Sequence, residues 1–159
     1  MQINFVDNFL SKPEHQRVYQ YCLKAPYYYG EPDMIGYPPT GMIHNIPGHE
    51  FIHKLLNRKT LDTFEFLQPL KLYRMYVNCF APGENPYFHI DGESGYTLLY
   101  YPNLEWSLQD GGETQFHIED SVQGISPVPN RLTIFDASIL HRATSFRNQY
   151  RFTIAIKYR

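Results

Sequence analysis

The string YFHIDG places a histidine and an aspartate two residues apart, at His89 and Asp91, in an apolar and aromatic setting. On a β-strand, the side chains of residues i and i+2 project to the same face, so this imidazole and this carboxylate would enter one space. An ion pair on the surface is the simplest interpretation of an isolated H-x-D pair. A second histidine changes that interpretation, because His141 follows the run RLTIFDASIL and would begin a strand beside the one carrying His89. Two histidines and one carboxylate on neighbouring strands form a ligand set that binds Fe(II) and leaves positions open for substrate and oxygen.

A cation downstream of this set is suited to bind a co-substrate. An Fe(II) oxygenase needs electrons for O2, and many obtain them from 2-oxoglutarate, whose far carboxylate requires a fixed cation, best supplied by a bidentate guanidinium. Arg151 opens the run RFTIAIKY, and Thr153 on the same face adds a hydroxyl donor. Arg142 and Arg147 are rival cations, and Arg151 is favoured because it begins a predicted strand.

Size and composition indicate one globular domain. The chain has 159 residues, of which 16% are aromatic, so a cavity is expected to have aromatic walls. The net charge of −2 and the pI near 6.4 do not indicate the basic surface that binding to nucleic acid requires. Cys22 and Cys79 are predicted to be reduced, buried thiols. The first residues show no leader pattern, and no stretch approaches membrane-spanning length, so we expect a soluble, cytoplasmic protein.

The N-terminal region, residues 1–70, is predicted to supply helical support and a substrate loop. A short strand is expected in INFVDNFL, followed by a helix over 11–24 that begins with the capping pattern S-x-x-E. The stretch over 25–48 is rich in Pro, Gly and Tyr and has neither a helical nor a strand period, which is typical of a functional loop. A second helix is predicted over 50–67.

The C-terminal region, residues 71–159, has a different character. Five β-rich runs follow one another: LYRMYVNCF, YTLLYYPN, TQFHI, RLTIFDA and YRFTIAIKY. Clusters of turn residues separate them, a pattern that favours an all-β sandwich or barrel. We therefore expect a single α+β, mainly β domain over 1–159, in which N-terminal helices support the sheets.

The ordered series His89-x-Asp91, His141 and Arg151-x-Thr153 resembles the 2-oxoglutarate/Fe(II)-dependent dioxygenases, and most of all their prolyl 4-hydroxylase-like branch. The resemblance covers most of the chain. FVDNFLSKPE is similar to the segment by which the family enters its first helix. LLYYPNLEW together with DGGETQF is similar to the strand pair that precedes the distal histidine, and RLTIFDASILH is similar to the strand that leads into that histidine.

This resemblance implies a fold, a reaction and a set of site residues. The fold is a double-stranded β-helix, or jelly roll, and the reaction uses Fe(II), 2-oxoglutarate and O2. Iron would be bound by His89, Asp91 and His141, and the far carboxylate of 2-oxoglutarate by Arg151. Because an aspartate fills the third protein position at the metal, hydroxylation of a C–H bond is expected rather than halogenation. The other co-substrate contacts implied by the resemblance are Tyr101 as hydrogen-bond partner, and Leu99, Thr114 and Phe135 as walls.

The substrate is less well indicated. Phe80 stands where related enzymes often carry a tyrosine, and Arg151 stands where collagen-type prolyl hydroxylases use lysine. The nucleic-acid repair pattern R-x-N-x-T-x-R is not met after Arg151, so a nucleic-acid substrate is not expected. The loop offers apolar surfaces, which suit a prolyl peptide or a small amino-acid-type molecule. The side chains expected to form these surfaces are Tyr27, Tyr29, Met34 and Tyr37.

Two alternatives remain. HEFIH, from His49 to His53, matches H-E-x-x-H, which on a helix places two zinc ligands beside a glutamate base. The extended form of that peptidase motif fails, because a leucine and a lysine occupy the places of its glycine and third histidine. The other alternative is a cupin-like metal protein without oxygenase activity, although cupins usually present H-x-H and a glutamate rather than Asp91. His117, in TQFHIED, is predicted to face solvent.

Overall fold

A computed structural model of the chain describes residues 3–159, two fewer than the predicted domain. Nine β-strands and two α-helices lie in this range: β1 (Asn4–Val6), α1 (Lys12–Lys24), β2 (Met42–Asn45), α2 (Phe51–Thr63), β3 (Leu72–Phe80), β4 (Tyr96–Tyr100), β5 (Thr114–Ile118), β6 (Ser121–Ile125), β7 (Leu132–Asp136), β8 (Leu140–Ala143) and β9 (Arg151–Tyr158). The expected mainly β composition is confirmed. Neither helix within residues 3–159 has the length and apolarity needed to cross a membrane.

The strands form two antiparallel sheets. The larger has six strands in the order β1-β7-β4-β9-β3-β2, and the smaller has three in the order β6-β5-β8. Strand β9 lies inside the large sheet, where Phe80 pairs with Arg151 and Met75 with Ile156 on its β3 side. In the small sheet, β5 pairs with β8 so that Phe116 lies opposite His141. The C-terminal strand is therefore central in the fold, and all of its residues are buried.

Alternation along β9 divides its side chains between two clusters. Phe152, Ile154 and Ile156 pack with the buried faces of both helices in the main core. Ala155 belongs to a second cluster that also contains Phe116 of the small sheet. Because side chains alternate along a strand, the second face also carries the three polar residues of β9 into the space between the sheets: Arg151, Thr153 and Lys157.

Helix α1 begins where the capping pattern predicts. The backbone N–H of Ser11 donates to Oε2 of Glu14 at 2.9 Å, and the hydroxyl of Ser11 donates to the same oxygen at 2.8 Å. This pairing fixes the first turn of the helix. Helix α2 is shorter than the predicted 50–67, since it ends at Thr63 and a 3-10 turn follows at Glu65–Leu67.

Two edge strands were not predicted. Strand β2 lies inside the expected loop and pairs along β3, from Met42 opposite Cys79 to Asn45 opposite Tyr76. Strand β6 pairs only with β5, and four of its five residues are exposed. Both strands are short, and a strand that pairs on one side needs no long alternating apolar pattern to be stable in a sheet. The predicted run YTLLYYPN ends early, at Tyr100, because a proline that cannot donate a ladder bond follows closely.

Candidate metal and co-substrate site

The segment that carries His89 and Asp91 is not a regular strand, contrary to the prediction. His89 forms an isolated antiparallel bridge with His141, in which the two residues exchange backbone hydrogen bonds of 3.0 and 2.9 Å. Two residues later, the N–H of Asp91 donates to the carbonyl of Ala137 at 2.9 Å. The turn-rich sequence DGESG ends pairing at that point. These backbone bonds still bring the three predicted metal ligands together.

The geometry of these three side chains suits a metal ion. Nε2 of His89 lies 3.7 Å from Oδ1 of Asp91, and Nε2 of His141 lies 3.5 Å from Oδ2. One ligand atom from each residue lies within 4.8 Å of the others, and residues 3–159 hold no second such group of His, Cys, Asp or Glu side chains. Separations of this size are those expected between atoms that share one ion at about 2.0–2.2 Å.

Backbone carbonyls fix the tautomer of both histidines. Nδ1 of His89 donates to the carbonyl of Tyr87 at 3.0 Å, and Nδ1 of His141 donates to the carbonyl of Ile139 at 2.8 Å. A carbonyl oxygen can only accept, so in the neutral ring the proton sits on Nδ1 and the lone pair on Nε2. Both lone pairs are thus available to a metal, as in histidine sites oriented by an outer hydrogen bond.

The carboxylate of Asp91 is held by two donors that sequence reasoning missed. The hydroxyl of Thr97 donates to Oδ2 at 2.7 Å, and the ammonium of Lys157 donates to Oδ1 at 2.8 Å. Burial raises the pKa of Asp91, but His141, Lys157 and these hydrogen bonds overcome that effect and hold the pKa well below its usual range. The carboxylate is therefore ionised and oriented before any ligand binds.

His141 is kept neutral by its surroundings. Burial lowers its pKa to about 4, although the charge of Asp91 opposes the shift. The ring of Phe135 meets the imidazole edge-on at 4.6 Å between centroids, and the ring of Phe116 stacks on it at 6.0 Å. The predicted wall residue Phe135 thus lies against a candidate metal ligand. A neutral imidazole is the form that coordinates metal.

Arg151 is a buried cation in the same cavity. Its Nε donates to the carbonyl of Gly112 at 2.8 Å, and one terminal nitrogen donates to Oγ1 of Thr114 at 2.9 Å. Within residues 3–159 it forms no ion pair with a carboxylate, and only 1% of its surface is exposed. Burial lowers the pKa of the guanidinium, although an arginine remains charged in practice. A buried guanidinium without a counter-ion fits the far carboxylate of 2-oxoglutarate.

Of the other residues predicted to contact the co-substrate, three line the cavity, whereas Tyr101 and Phe135 do not. Leu99, Thr114 and Thr153 line the cavity. The hydroxyl of Tyr101 hydrogen-bonds Thr114 at 2.8 Å, so this tyrosine supports the lining from behind. Both rival cations lie elsewhere. Arg147 is exposed, and Arg142 stacks on Phe88 and hydrogen-bonds Gln115.

The cavity has a volume of about 220 Å³, and its lining combines charged side chains with apolar ones such as Phe80 and Leu99. The loop over 25–48 contributes Glu31 and Asp33, whereas its tyrosines lie elsewhere. Tyr27 packs into the main core and donates to the carbonyl of Cys22 at 2.7 Å, while Tyr29 and Tyr37 are largely exposed. The apolar surfaces expected from Tyr27, Tyr29, Met34 and Tyr37 therefore do not form the cavity wall, although Pro32 and Ile43 of the same loop do line it. Three acidic and three basic side chains line it: Glu31, Asp33, Asp91, Arg74, Arg151 and Lys157.

A sequence comparison identifies the family. The sequence model of the 2OG-Fe(II) oxygenase superfamily matches residues 75–159, just over half of the chain. The chain belongs to the 2OG-Fe(II) oxygenase superfamily. Fe(II), 2-oxoglutarate and O2 are therefore its cofactor and co-substrates, and it is an oxidoreductase, as the sequence predicts. A search of curated proteins finds no significant match.

Solved structures of 2OG-Fe(II) oxygenases share the fold. A prolyl-4-hydroxylase from Pseudomonas putida has a TM-score of 0.79 at 16% identity, over 99% of this chain and 91% of its own. A Trichoplax adhaerens prolyl hydroxylase, solved with a hypoxia inducible factor peptide fragment, has a TM-score of 0.78 at 21% identity, over 98% of this chain and 82% of its own. HygX from Streptomyces hygroscopicus, solved with nickel, 2-oxoglutarate and hygromycin B, has a TM-score of 0.75 at 11% identity, over 98% of this chain and 82% of its own.

The HEFIH string does not form a second metal site. Helix α2 begins at Phe51, so His49 is exposed and lies before the helix, while Glu50 is its N-cap. The two histidines therefore do not share a helix face as a zinc peptidase requires. His117 is exposed on β5, as predicted.

Proposed function

We propose that this chain hydroxylates a C–H bond of a prolyl peptide or a small amino-acid-type substrate. Iron is bound by His89, Asp91 and His141, and 2-oxoglutarate is anchored by Arg151 and the hydroxyl of Thr153. The two sheets correspond to the halves of a double-stranded β-helix. The observation that carries the proposal is the juxtaposition, in one cavity, of a three-residue ligand set with a buried guanidinium that forms no ion pair with a carboxylate of residues 3–159.

The reaction has a simple balance. Bound Fe(II) supplies the activation of O2 coupled to oxidative decarboxylation of 2-oxoglutarate. One oxygen atom enters the substrate C–H bond as a hydroxyl, the other enters succinate, and CO2 leaves. No external reductant is needed, because O2 takes two of its four electrons from the 2-oxo acid and the other two from the C–H bond that is hydroxylated.

The protein's contribution is mostly preorganisation. The carbonyls behind His89 and His141 aim both Nε2 lone pairs inward, and Thr97 and Lys157 fix the carboxylate between them. Arg151 offsets the charge of a carboxylate that would otherwise be buried without a partner. All of these groups are already positioned in the folded protein, which is the condition for effective electrostatic support.

One solved relative supports the peptide class named in the proposal, whereas another shows only that this fold can hold a small organic ligand. The Trichoplax enzyme was solved with a peptide fragment, and HygX with hygromycin B, a small molecule. A nucleic-acid substrate has less support. The net charge of the chain is −2, and β9 carries Ala155 and Lys157 where the repair pattern has threonine and a second arginine.

The test is succinate release with Fe(II) and 2-oxoglutarate, with and without candidate substrates. Replacing His89, Asp91 or His141 by alanine should abolish turnover and weaken metal binding, since each removes one of three ligands. His117→Ala is the matched control, because this histidine is exposed on β5, and it should retain wild-type turnover. If any one of the three ligand variants kept wild-type turnover, the assignment would be wrong. Metal binding without succinate release would instead favour the cupin-like alternative.

A further inference from the structure

A row of charged side chains connects the mouth of the cavity to the candidate metal site. Glu31 and Arg74 form a two-pronged ion pair near the mouth, with both N–H···O distances at 2.8 Å. The guanidinium of Arg74 lies over the ring of Tyr76 at 4.2 Å, and the ammonium of Lys157 lies 5.0 Å from the same ring. Lys157 in turn bonds the metal-side carboxylate of Asp91. We call Glu31, Arg74 and Lys157 the charged wall.

The charged wall keeps unused donors. A guanidinium carries five N–H groups. Arg74 directs one to Asn45 and two to Glu31 in the described contacts, which leaves two for a ligand. The ammonium of Lys157 has three N–H groups and directs one to Asp91 and one toward the hydroxyl of Tyr76, which leaves one for a ligand. The pKa of Glu31 is lowered mainly by its hydrogen bonds with Arg74, and the charge of Lys157 adds a smaller lowering.

Asp33 brings a second carboxylate to the same cavity. Its Oδ2 accepts from Oγ1 of Thr40 at 3.0 Å and from the N–H of Tyr87 at 3.1 Å. Its Oδ1 accepts no hydrogen bond from residues 3–159 and lies 3.9 Å from Nδ1 of His89, which already donates to a carbonyl. The carboxylate is thus held in place by one oxygen while the other is available to a cationic ligand.

The charges in the cavity balance, and this balance constrains the substrate. Its lining has three carboxylates and three cations. Bound Fe(II) and doubly ionised 2-oxoglutarate add equal and opposite charge, so the occupied cavity remains neutral but strongly polar. A prolyl residue inside a peptide is uncharged, and covering these groups with it would remove their water without replacing its hydrogen bonds. A molecule with both an anionic and a cationic group can replace those hydrogen bonds, because its charged groups pair with the cations and carboxylates of the lining.

The small cavity favours a small ligand. Its volume of about 220 Å³ is below the roughly 300–1,000 Å³ of pockets that hold drug-sized molecules. It must also contain 2-oxoglutarate beside Arg151. A ligand that lies inside the cavity beside the co-substrate is therefore expected to be no larger than a single amino acid.

On these grounds, and resting on the oxygenase function proposed above, we infer that the substrate is a free α-amino acid rather than a residue within a peptide. The cations of the charged wall, Arg74 and Lys157, bind its carboxylate. The available oxygen of Asp33 binds its ammonium group.

Substrate analogues that differ only in charge test this inference. Succinate release and a +16 Da product are measured with the proteinogenic L-amino acids, with the N-acetyl and C-amide forms of each active one, and with proline-containing peptides. We expect at least one free amino acid to stimulate turnover, and blocking either charged group to lower kcat/KM by roughly tenfold or more, because a buried polar partner is then left unpaired.

A paired variant assigns the effect to the charged wall. The double substitution Glu31→Gln with Arg74→Gln removes both charges of the ion pair. We expect it to raise KM for the amino acid by roughly tenfold and to reduce the preference for the free over the capped form. The control is Asp7→Asn with Arg131→Gln, which removes an equally two-pronged pair, at 2.7 and 2.9 Å, in which the arginine also covers an aromatic ring. This control pair lies outside the cavity lining and should leave that preference unchanged.

The outcomes separate the two proposals. If metal and 2-oxoglutarate bind and uncoupled turnover occurs, but only peptides stimulate it or capped and free amino acids act equally, the amino-acid inference is wrong and the oxygenase function stands. The amino-acid inference is also wrong if no free amino acid stimulates turnover. If metal and 2-oxoglutarate do not bind, both proposals fail together.

Discussion

Arg151 is the single residue on which co-substrate binding should depend most. Its guanidinium is buried, is positioned by Gly112 and Thr114, and lacks a carboxylate partner within residues 3–159. Arg151→Ala leaves the far carboxylate of 2-oxoglutarate buried without a charged partner, a loss on the order of 2–5 kcal/mol. We expect KM for 2-oxoglutarate, measured by succinate release, to rise by more than tenfold while metal affinity is kept.

The exposed Arg147 provides the control for this prediction. Arg147→Ala removes a positive charge from the connection between β8 and β9, four residues before Arg151. The side chain of Arg147 is exposed and does not line the cavity. It should leave KM for 2-oxoglutarate near the wild-type value. A larger effect from Arg147→Ala than from Arg151→Ala would place the anchor elsewhere.

Thr97 is expected to support the metal through Asp91. Its buried hydroxyl donates to Oδ2 of that carboxylate at 2.7 Å. Thr97→Val keeps the shape of the side chain and removes the donor, and loss of such an outer hydrogen bond typically weakens metal binding by roughly 10–100-fold. The measurement is a metal titration of the apo protein.

A second buried threonine separates this effect from packing. Thr133 on β7 is fully buried, and its hydroxyl has no hydrogen-bond partner among residues 3–159. Thr133→Val should therefore leave metal affinity unchanged and stabilise the fold, since it removes an unsatisfied polar group. Equal metal affinities in the two valine variants would contradict a positioning role for Thr97.

At the scale of single residues, sequence and structure agree where spacing carries the information. His89, Asp91, His141 and Arg151 are all recognisable from spacing, and the structure places them in one cavity. Thr97 was missed because its contact with Asp91 depends on how two segments fold onto each other. The position of Lys157 could have been predicted, because strand alternation places it on the same face of β9 as Arg151.

Among the elements, the start of β4 depends on a glycine. Gly95 has a φ of +98°, and a Cβ there would collide with the backbone carbonyl oxygen of Tyr158 at the end of β9. The carbonyl of Gly95 accepts a hydrogen bond from the N–H of Ala137, and the carbonyl of Ala137 accepts one from the N–H of Asp91. We expect Gly95→Ala to displace the end of β9 and to lower the melting temperature strongly, as followed by thermal unfolding.

Gly83 isolates the backbone cost of this substitution. It has a φ of +85°, but open space surrounds the position of a Cβ. Gly83→Ala should therefore cost only about 1–2 kcal/mol, the penalty for a left-handed conformation. Equal destabilisation by the two alanine variants would show that the carbonyl of Tyr158 can move without cost.

Elements with strong local signals could be predicted, and weak edge elements could not. Helix α1 was found because Ser11 and Glu14 form a capping pair that is visible in the sequence. Strand β2 was missed because it forms by pairing, along β3 and with Tyr28 on its other side, and its flanking residues are typical of a loop. The histidine bridge between His89 and His141 is likewise a product of pairing, and a single such bridge has no period to detect.

For the whole molecule, the arrangement of the loop was the hardest feature to predict. Tyr28 bridges Ile43, so the loop doubles back along β2. That path turns Tyr27 into the main core and brings Glu31 and Asp33 to the cavity. Composition predicted a functional loop but could not show which side chains face the cavity, because their direction depends on long-range pairing.

The candidate site also lies where the two sheets meet, which predicts that its ligands stabilise the whole fold. His141 belongs to β8 of the small sheet, Arg151 belongs to β9 of the large sheet, and Asp91 is supported from β4 and β9 by Thr97 and Lys157. A metal ion joined to 2-oxoglutarate would connect all of these segments. Because both ligands need the folded arrangement, each should shift the unfolding equilibrium by mass action.

Thermal unfolding with Ni(II), the metal found with 2-oxoglutarate in HygX, measures this coupling without turnover. At a metal concentration about 100 times the Kd, the gain is about 2.7 kcal/mol, or on the order of 5–10 °C in Tm for a chain of this size. Addition of 2-oxoglutarate should raise Tm further, and a chelator should reverse both shifts. His141→Ala should lose both shifts, whereas Arg151→Ala should keep the metal shift and lose most of the 2-oxoglutarate shift. A 2-oxoglutarate shift that persists in Arg151→Ala would show that the co-substrate binds without joining the two sheets.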